Sequence, residues 1–185
     1  MVNAKAIESE PSHTEIVRTL LDAGAVRFGE FTLASGEKSD IYIDVKRAWT
    51  HPERLDVLAR ALAARVGTTD RLAGMELGAV PLVVATALRT GHPYVVIRKA
   101  AKEHGTRQPF EGEISPGLRV LVIEDVTTTG GSTLRSVEVL RSAGGIVDRV
   151  LAVVDREVGA AARLAATGIR LEPLVTMAEL RGARS

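Results

Sequence analysis

Short apolar runs alternate with helical periodicities along the chain from about residue 51 onward. Five runs of mainly apolar residues predict strands buried on both faces. They lie at 72–76, 94–97, 120–123, 147–154 and 171–175. Four helices are predicted before and between them, at about 51–66, 79–89, 133–142 and 158–166. Repeated strand and helix units of this kind predict an α/β fold, with a mostly parallel central sheet flanked by helices.

The N-terminal part of the chain follows a different pattern. A polar tail, 1–11, precedes Ser12-His-Thr-Glu15, which has the sequence of a capping box and is followed by an apolar helical face that should end near Gly24. Residues 26–33 and 41–45 are predicted to pair as an antiparallel hairpin outside the main sheet. Residues 12–46 would then form a small N-terminal hood.

Composition and charge narrow the class of protein. With 185 residues, 45% of them hydrophobic and 25% charged, the chain is expected to form a single domain, 1–185. The net charge of +1 provides no general field for nucleic acid or an anionic membrane. The absence of cysteine excludes a disulfide scaffold and a thiolate metal site. No run has the length of a membrane span and the N-terminus has no apolar h-region, so we expect a cytoplasmic protein with neither nucleic acid nor membrane as partner.

Two carboxylates mark the first candidate site. Glu124 and Asp125 directly follow the strand predicted at 120–123. In open α/β sheets the ligand crevice lies outside the carboxyl ends of the strands. Acids at this position can accept hydrogen bonds from a polyol or help to hold a cation, although an adjacent Glu–Asp pair is more often simply solvated.

A run of hydroxyls and glycines follows the two acids and leads into a helix that should begin near Ser132 or Thr133. The backbone N–H groups at such a helix start can form an anion cradle. The residues of this predicted cradle are Thr127, Thr128, Thr129, Gly130, Gly131 and Ser132. A strand-to-helix turn of this composition is common by itself, but acids and cradle in this order predict a sugar-phosphate site.

Residues 98–117 interrupt the alternation with about 20 residues, which is long for a connection in a compact domain. The segment contains several cations and a histidine close together. These are Arg98, Lys99, Lys102, His104 and Arg107. Such a cluster is usually a solvated surface, but this one directly follows the strand at 94–97, where the crevice is expected. Its position favours a flexible functional loop.

Residues 120–132 resemble the phosphoribosyl-diphosphate signature of the type I phosphoribosyltransferase family, in which an apolar strand, two acids and a Thr/Gly-rich loop occur in this order. The sequence Arg-Lys-x-x-Lys-x-His-Gly at 98–105 resembles the catalytic loop of the orotate phosphoribosyltransferases in particular, and Phe-Thr-Leu-x-Ser-Gly at 31–36 resembles their hood. The resemblance covers about 20–180. It implies a type I phosphoribosyltransferase-like fold.

The resemblance also implies an activity. The enzyme would transfer the 5-phosphoribosyl group from phosphoribosyl diphosphate to N1 of orotate, giving orotidine 5′-monophosphate and diphosphate in pyrimidine biosynthesis. Glu124 and Asp125 would hold the 2′ and 3′ hydroxyls, and the cradle 127–132 would hold the 5′-phosphate. Arg156, with Thr128, would orient orotate through the guanidinium fork.

Catalysis is expected, on the same resemblance, to depend on cations that close over the leaving diphosphate. The implied catalytic residues are Arg98, Lys99, Lys102, His104 and Asp125. The glycine-containing turn at 74–82, with Glu76 and Gly78, matches a diphosphate-binding turn of the family. Mg²⁺ is implied as cofactor, held mainly by phosphoribosyl diphosphate with no direct protein ligand expected. A homodimer is also implied, with the loop 98–117 reaching the neighbouring site.

The sequence departs from the family pattern at two positions. Bacterial members often carry lysines where this chain has Ala34 and Gly78, and those lysines contact ligands. Lys46 and Lys38 are the available replacements, and Lys46 is preferred because it is expected at the end of a strand.

Two other functions fit parts of the pattern. A family member that acts on a purine base would share 118–133, but Arg156 and the 98–104 segment argue against it. A non-catalytic regulator of the same fold would bind nucleic acid, and such a protein commonly loses the loop cations or gains a basic segment. Here the loop cations are present and the net charge is close to zero.

Overall fold

The computed structural model describes residues 9–32, 36, 38–99 and 108–183. Helix α1, His13–Asp22, begins after Ser12, whose hydroxyl accepts a hydrogen bond of 3.2 Å from the backbone N–H of Glu15. This N-cap is as predicted. The reciprocal half of the capping box is replaced, since the Glu15 carboxylate accepts a hydrogen bond of 2.9 Å from Arg60 Nη2.

The predicted hairpin is confirmed. Strands β1, Val26–Thr32, and β2, Lys38–Ile43, pair antiparallel in a two-stranded sheet of their own. Val26 and Ile41 are buried and join the same apolar cluster as the inner face of α1. The hairpin therefore packs on the body of the protein as a hood.

In the described part of the chain, six further strands form the central sheet. They are β3, Arg71–Met75; β4, Tyr94–Ile97; β5, Phe110–Glu111; β6, Val120–Thr127; β7, Arg149–Asp155; and β8, Arg170–Thr176. Their order is β5-β4-β3-β6-β7-β8, and every neighbouring pair is parallel except β4 with β5. The prediction of a mostly parallel sheet is confirmed. Strand β5 lies in the stretch predicted to be irregular, and two residues are too few to produce a recognisable alternation.

Within the residues that the structure describes, six helices follow α1. They are α2, Lys46–Trp49; α3, Pro52–Ala63; α4, Val80–Thr90; α5, Gly131–Ser142; α6, Ala160–Ala165; and α7, Met177–Gly182. Helices α3 to α6 were predicted, whereas α2 and α7 were missed because one or two turns show no clear periodicity. Helices cover both faces of the sheet: Leu121 and Ile123 of β6 join one apolar cluster, while Val120 and Val122 join the other. Among the described residues, no helix is long and apolar enough to cross a membrane.

Strand β6 is longer than predicted. It continues through Glu124 and Asp125 to Thr127, because Val126 pairs with Val154 and Thr127 pairs with the last residue of β7. The prediction that the acids stand beyond the end of the strand is therefore wrong. Pairing with β7 satisfies the backbone on one side and overrides the low strand propensity of the two acids.

Candidate functional site

The carboxyl ends of β3 and β6 lie side by side where the chain changes direction across the sheet. After β3 the chain crosses to β4 on one side, and after β6 it crosses to β7 on the other. Strand β3 pairs with β6 only as far as Ala73 and Val122. In the sheet, the remainder of β6 pairs with β7 alone. Open α/β sheets bind their ligands at such a switch point.

Glu124 lies at this switch point and is almost completely buried, with 5% of its surface exposed. Its Oε1 has no hydrogen-bond partner in the part of the chain that the structure describes. Burial, and then repulsion by Asp125, raises the pKa of Glu124 to about 7, against an opposing effect of the Thr133 hydroxyl. An unpartnered buried carboxyl oxygen is a group that a ligand hydroxyl or a cation can satisfy.

Asp125 points to the opposite face of β6 and lies against the turn that follows β3. Its Oδ1 accepts a hydrogen bond of 2.8 Å from the backbone N–H of Val126. A Cβ atom built on Gly78 would lie only 2.2 Å from Oδ2. Burial raises the pKa of Asp125, while the positive charge of Lys46 acts in the opposite direction. The two acids therefore occupy different environments although they are neighbours in sequence.

The prediction that Lys46 lies at the end of a strand is wrong. Strand β2 ends at Ile43, and Lys46 is the first residue of α2. Its Nζ forms an ion pair with Asp44 Oδ1 at 3.1 Å. The hydrogen bond with Asp44 raises the pKa of Lys46 despite partial burial, and Asp125 contributes in the same direction. The hood thus supplies a cation to the electrostatic environment of Asp125.

The predicted anion cradle lies between β6 and α5. Gly130 has φ 75° and precedes the first helical residue, Gly131. The first backbone hydrogen bond of this turn runs from the N–H of Leu134 to the carbonyl of Gly130, at 2.9 Å. The N–H groups before Leu134 have no intrahelical acceptor and face the end of the helix. Thr128 is half-buried, whereas Thr129 and Ser132 are exposed.

Thr127 is placed differently from the rest of the cradle. It is the last residue of β6, is 1% exposed, and its hydroxyl donates a hydrogen bond of 2.9 Å to Asp155 Oδ1. The same carboxylate oxygen accepts a hydrogen bond from the backbone N–H of Glu157, at 3.1 Å. The hydroxyl of Thr127 thus joins the ends of two neighbouring strands, and its role toward an anion stays a prediction.

Arg156 follows β7 directly and lies beside the end of β6. Its backbone N–H donates a hydrogen bond of 2.9 Å to the carbonyl of Thr127. Its side chain is half-buried, and Nε has no hydrogen-bond partner among the described residues. The next residue, Glu157, has φ 56° and accepts a hydrogen bond of 2.8 Å at Oε2 from the backbone N–H of Ala178. The sequence prediction names Arg156 alone, but Asp155 and Glu157 form the hydrogen bonds that fix the backbone on either side of it. Three charged residues in a row at the end of a buried strand are the sequence signal for this arrangement.

The predicted catalytic loop is described only at its two ends. The Arg98 guanidinium forms a hydrogen bond of 2.9 Å from Nε to Glu111 Oε1 on β5. The backbone N–H of Lys99 donates to Glu76 Oε1 at 2.8 Å, so the turn after β3 contacts the start of the loop. Lys102 and His104 lie outside the described residues, as do Ala34 and Arg107.

Known proteins share much of the sequence and the fold of this chain. The phosphoribosyl transferase domain family matches residues 46–166. An orotate phosphoribosyltransferase from Natronomonas pharaonis is 50% identical over 169 residues, which are 91% of this chain and 97% of that protein. The chain belongs to the orotate phosphoribosyltransferase family. This confirms the family, fold and activity implied by the resemblance of residues 31–36, 98–105 and 120–132.

Solved structures of orotate phosphoribosyltransferases share the fold. The crystal structure from Aeropyrum pernix has a TM-score of 0.82 and 36% identity, covering 91% of this chain and 97% of that one. The Mycobacterium tuberculosis protein, crystallised in complex with 5-phospho-alpha-D-ribosyl 1-diphosphate, has a TM-score of 0.76 and 32% identity over 92% of this chain and 99% of that one. The purine-base alternative therefore loses its support.

The departure at Gly78 from bacterial orotate phosphoribosyltransferases has a physical explanation. A side chain at this position would collide with the Asp125 carboxylate as it stands, since even Cγ would lie 2.6 Å from the added Cβ. The glycine therefore lets Asp125 lie against the turn, and Lys46 is the cation among the described residues that acts on this carboxylate.

Proposed function

We propose that this chain transfers the 5-phosphoribosyl group of phosphoribosyl diphosphate to N1 of orotate, and that the switch-point crevice binds both substrates. The observation that carries the proposal is the placement of Glu124, with its unpartnered buried oxygen, and Asp125 directly beside the open N-terminus of α5. Carboxylates suit ribose hydroxyls, and free N–H groups suit a phosphate. Sequence similarity to orotate phosphoribosyltransferases supports the reaction type.

The donor would lie along the edge of β6 that β3 leaves unpaired beyond Val122, with its ribose between the two acids and its 5′-phosphate in the cradle. Glu124 and Asp125 accept hydrogen bonds from the 2′ and 3′ hydroxyls. The backbone N–H groups of 128–132 receive the phosphate. In the protein without ligand, the pKa of Glu124 is about 7. The ribose hydroxyls donate hydrogen bonds to a carboxylate, so donor binding selects the ionised form of Glu124 at neutral pH.

The acceptor would be oriented by Arg156, whose Nε is buried and unpartnered within the described part of the chain. A guanidinium can hold the orotate carboxylate through two parallel hydrogen bonds. The backbone N–H of Arg156 binds the carbonyl of Thr127, and the next residue, Thr128, would complete the orotate site with its hydroxyl. This arrangement presents N1 of orotate toward C1 of the ribose.

The chemical step breaks the C1–O bond to diphosphate and forms the N1–C1 bond, and N1 releases its proton to water. Positive charge develops on the ribose beside Asp125, and negative charge develops on the departing diphosphate. Lys99, Lys102 and His104 on the loop neutralise the leaving group, and Lys102 or His104 protonates it. Arg98, held by Glu111, anchors the start of this loop.

Mg²⁺ is proposed as the cofactor. Within the described residues there is no group of three or more His, Cys, Asp or Glu side chains that could hold a metal ion. Two carboxylates, one with an unpartnered oxygen, suit an ion that keeps most of its oxygen ligands from water and substrate phosphates. When bound, Mg²⁺ neutralises charge on the diphosphate and helps to orient it.

A homodimer is also proposed, in which the loop 98–117 of one subunit reaches the site of its partner. This proposal rests on the resemblance of residues 98–105 to the catalytic loop of the family. The expected cytoplasmic location stays a prediction.

The decisive experiment follows the loss of orotate absorbance after addition of phosphoribosyl diphosphate and Mg²⁺. We expect turnover with orotate and none with hypoxanthine, guanine or xanthine. Folded protein that fails to consume orotate would contradict the proposal. Faster turnover of a purine base than of orotate would show that the purine base is the acceptor.

Replacing Arg156 by Lys is expected to raise the KM for orotate about 10- to 100-fold, which is the loss of one charge-assisted hydrogen bond to a carboxylate. Affinity for phosphoribosyl diphosphate should stay within about twofold. Steady-state kinetics with each substrate varied in turn measure both effects. Arg18→Lys on the exposed side of α1 is the matched control. Equal losses of affinity for orotate and phosphoribosyl diphosphate would mean that Arg156 does not bind orotate specifically.

Replacing Gly78 by Ala is expected to displace the Asp125 carboxylate without unfolding the protein. The added Cβ would lie 2.2 Å from Asp125 Oδ2, and the side chain must rotate to relieve the contact. Affinity for phosphoribosyl diphosphate, measured by calorimetry, should fall about tenfold, while the free energy of unfolding changes by less than about 1 kcal/mol. Gly182→Ala, where an added Cβ meets open space at the end of α7, should leave the affinity unchanged and should alter the free energy of unfolding only through the higher helix propensity of alanine, by about 1 kcal/mol or less. Full affinity in Gly78→Ala would show that the present position of Asp125 is not needed for binding.

A further inference from the structure

Two arginines outside the predicted site converge on the first residue of α5. A Cβ atom built on Gly131 would lie 3.5 Å from Arg163 Nη1 and 4.0 Å from Arg135 Nη1. The Thr129 hydroxyl would lie 3.9 Å from the same point. Guanidinium groups from two different helices therefore meet at the edge of the anion cradle.

The fold explains this convergence. Arg135 is one helical turn after Gly131 on α5, and helical side chains lean toward the N-terminus of their helix, so its guanidinium returns to the start of α5. Arg163 comes from α6, whose first residue, Ala160, packs against Gly130 with its Cα 3.4 Å from the position of an added Cβ. The glycines thus bring α6 close enough for its arginine to reach the cradle.

No side chain in the described part of the protein neutralises either arginine. Within the described residues, Arg135 and Arg163 form no hydrogen bond or ion pair. Arg149, by contrast, is bound to the Glu172 carboxylate at 2.8 Å, and Arg119 to Asp148 at 2.9 Å. Two unneutralised cations near one point repel each other, and an anion between them removes this cost.

We propose that Arg135 and Arg163 form a guanidinium clamp on the 5′-phosphate of phosphoribosyl diphosphate and of orotidine 5′-monophosphate. The proposal rests on the proposed function, since it assigns two further binding residues to the same phosphate site. Guanidinium groups present paired donors that match phosphate oxygens. The backbone N–H groups of the cradle fix the position of the phosphate, and the clamp supplies the formal positive charge that those neutral groups lack. The clamp makes the site selective for the phosphorylated ligand.

The test compares Arg135→Gln, Arg163→Gln and the double variant with the wild-type protein. Calorimetry measures affinities for phosphoribosyl diphosphate, orotidine 5′-monophosphate and the unphosphorylated nucleoside orotidine. We expect a loss of roughly fivefold for each single variant and roughly 30-fold for the double variant on the two phosphorylated ligands. Orotidine affinity and the KM for orotate should not change. Lysine at both positions should restore part of the affinity, because it keeps the charge but loses the fork.

Arg18→Gln, which removes one exposed positive charge from α1, is the matched control and should leave all affinities unchanged. Phosphate affinities within twofold of wild type in the double variant, or equal losses for orotidine and its monophosphate, would overturn the clamp. Wild-type protein that binds phosphoribosyl diphosphate without transferring it to orotate would defeat the proposed function alone, and the clamp would then be judged on donor affinity. Wild-type protein that binds neither phosphorylated ligand would defeat both.

Discussion

Replacing Asp125 by Asn is expected to lower kcat/KM for phosphoribosyl diphosphate about 100- to 1,000-fold. Asparagine keeps an oxygen that can accept the hydrogen bond from the Val126 N–H, so the local backbone should not change. The substitution removes the negative charge next to the ribose, where positive charge develops as the C1–O bond breaks. Loss of one such electrostatic contact in a buried site is worth about 3 to 4 kcal/mol in the transition state.

The kinetic pattern distinguishes this role from simple binding. If Asp125 stabilises the transition state, kcat falls together with kcat/KM; if it only holds the ribose, KM rises while kcat is unchanged. Asp148→Asn is the control, because Asp148 is exposed just before the first residue of β7, at the amino ends of the strands and so at the end of the sheet opposite the site. A kcat/KM within threefold of wild type would refute the assignment of Asp125 to the catalytic site.

Local pattern predicts that the two acids lie near the carboxyl end of a buried central strand, but it does not predict that this strand continues through them to Thr127. The apolar run at 120–123 predicts a buried strand, and the order of strands and helices places its carboxyl end at a crevice. The reaction could not be predicted from this pattern, since Glu124 and Asp125 indicate only a polyol or a cation. Resemblance to the family supplies the rest: the loop at 98–105 indicates the leaving group, and Arg156 indicates the acceptor.

Contacts between distant parts of the chain could not be predicted in this way. The Thr127–Asp155 hydrogen bond depends on the register between β6 and β7, which a continuous apolar run does not specify. The contact of Gly78 with Asp125 depends on the path of the turn after β3. Residues of this kind decide where each carboxylate points and how deeply it is buried, and hence its pKa.

Glu124 should make the stability of the free protein depend on pH. Its pKa is raised from 4.5 to about 7 in the folded protein, chiefly by burial. Between these values the folded state keeps a proton that the unfolded state has lost, so unfolding releases a proton and stability falls as pH rises. Each pH unit of this interval costs about 1.4 kcal/mol, which gives a loss of about 3 kcal/mol between pH 4.5 and pH 7.

Glu124→Gln removes this ionisation while keeping the size of the side chain. Urea unfolding of both proteins from pH 5 to pH 8, without ligand, gives the difference between their free energies of unfolding, and ionisations that the two share largely cancel in it. The variant should gain stability relative to wild type by roughly 2 to 3 kcal/mol as pH rises, with most of the change below pH 7. Glu138→Gln on the exposed face of α5 is the matched control and should give a nearly constant difference. A difference for Glu124→Gln that does not vary with pH would mean that burial leaves this carboxylate ionised, and donor binding would then not need to remove its proton.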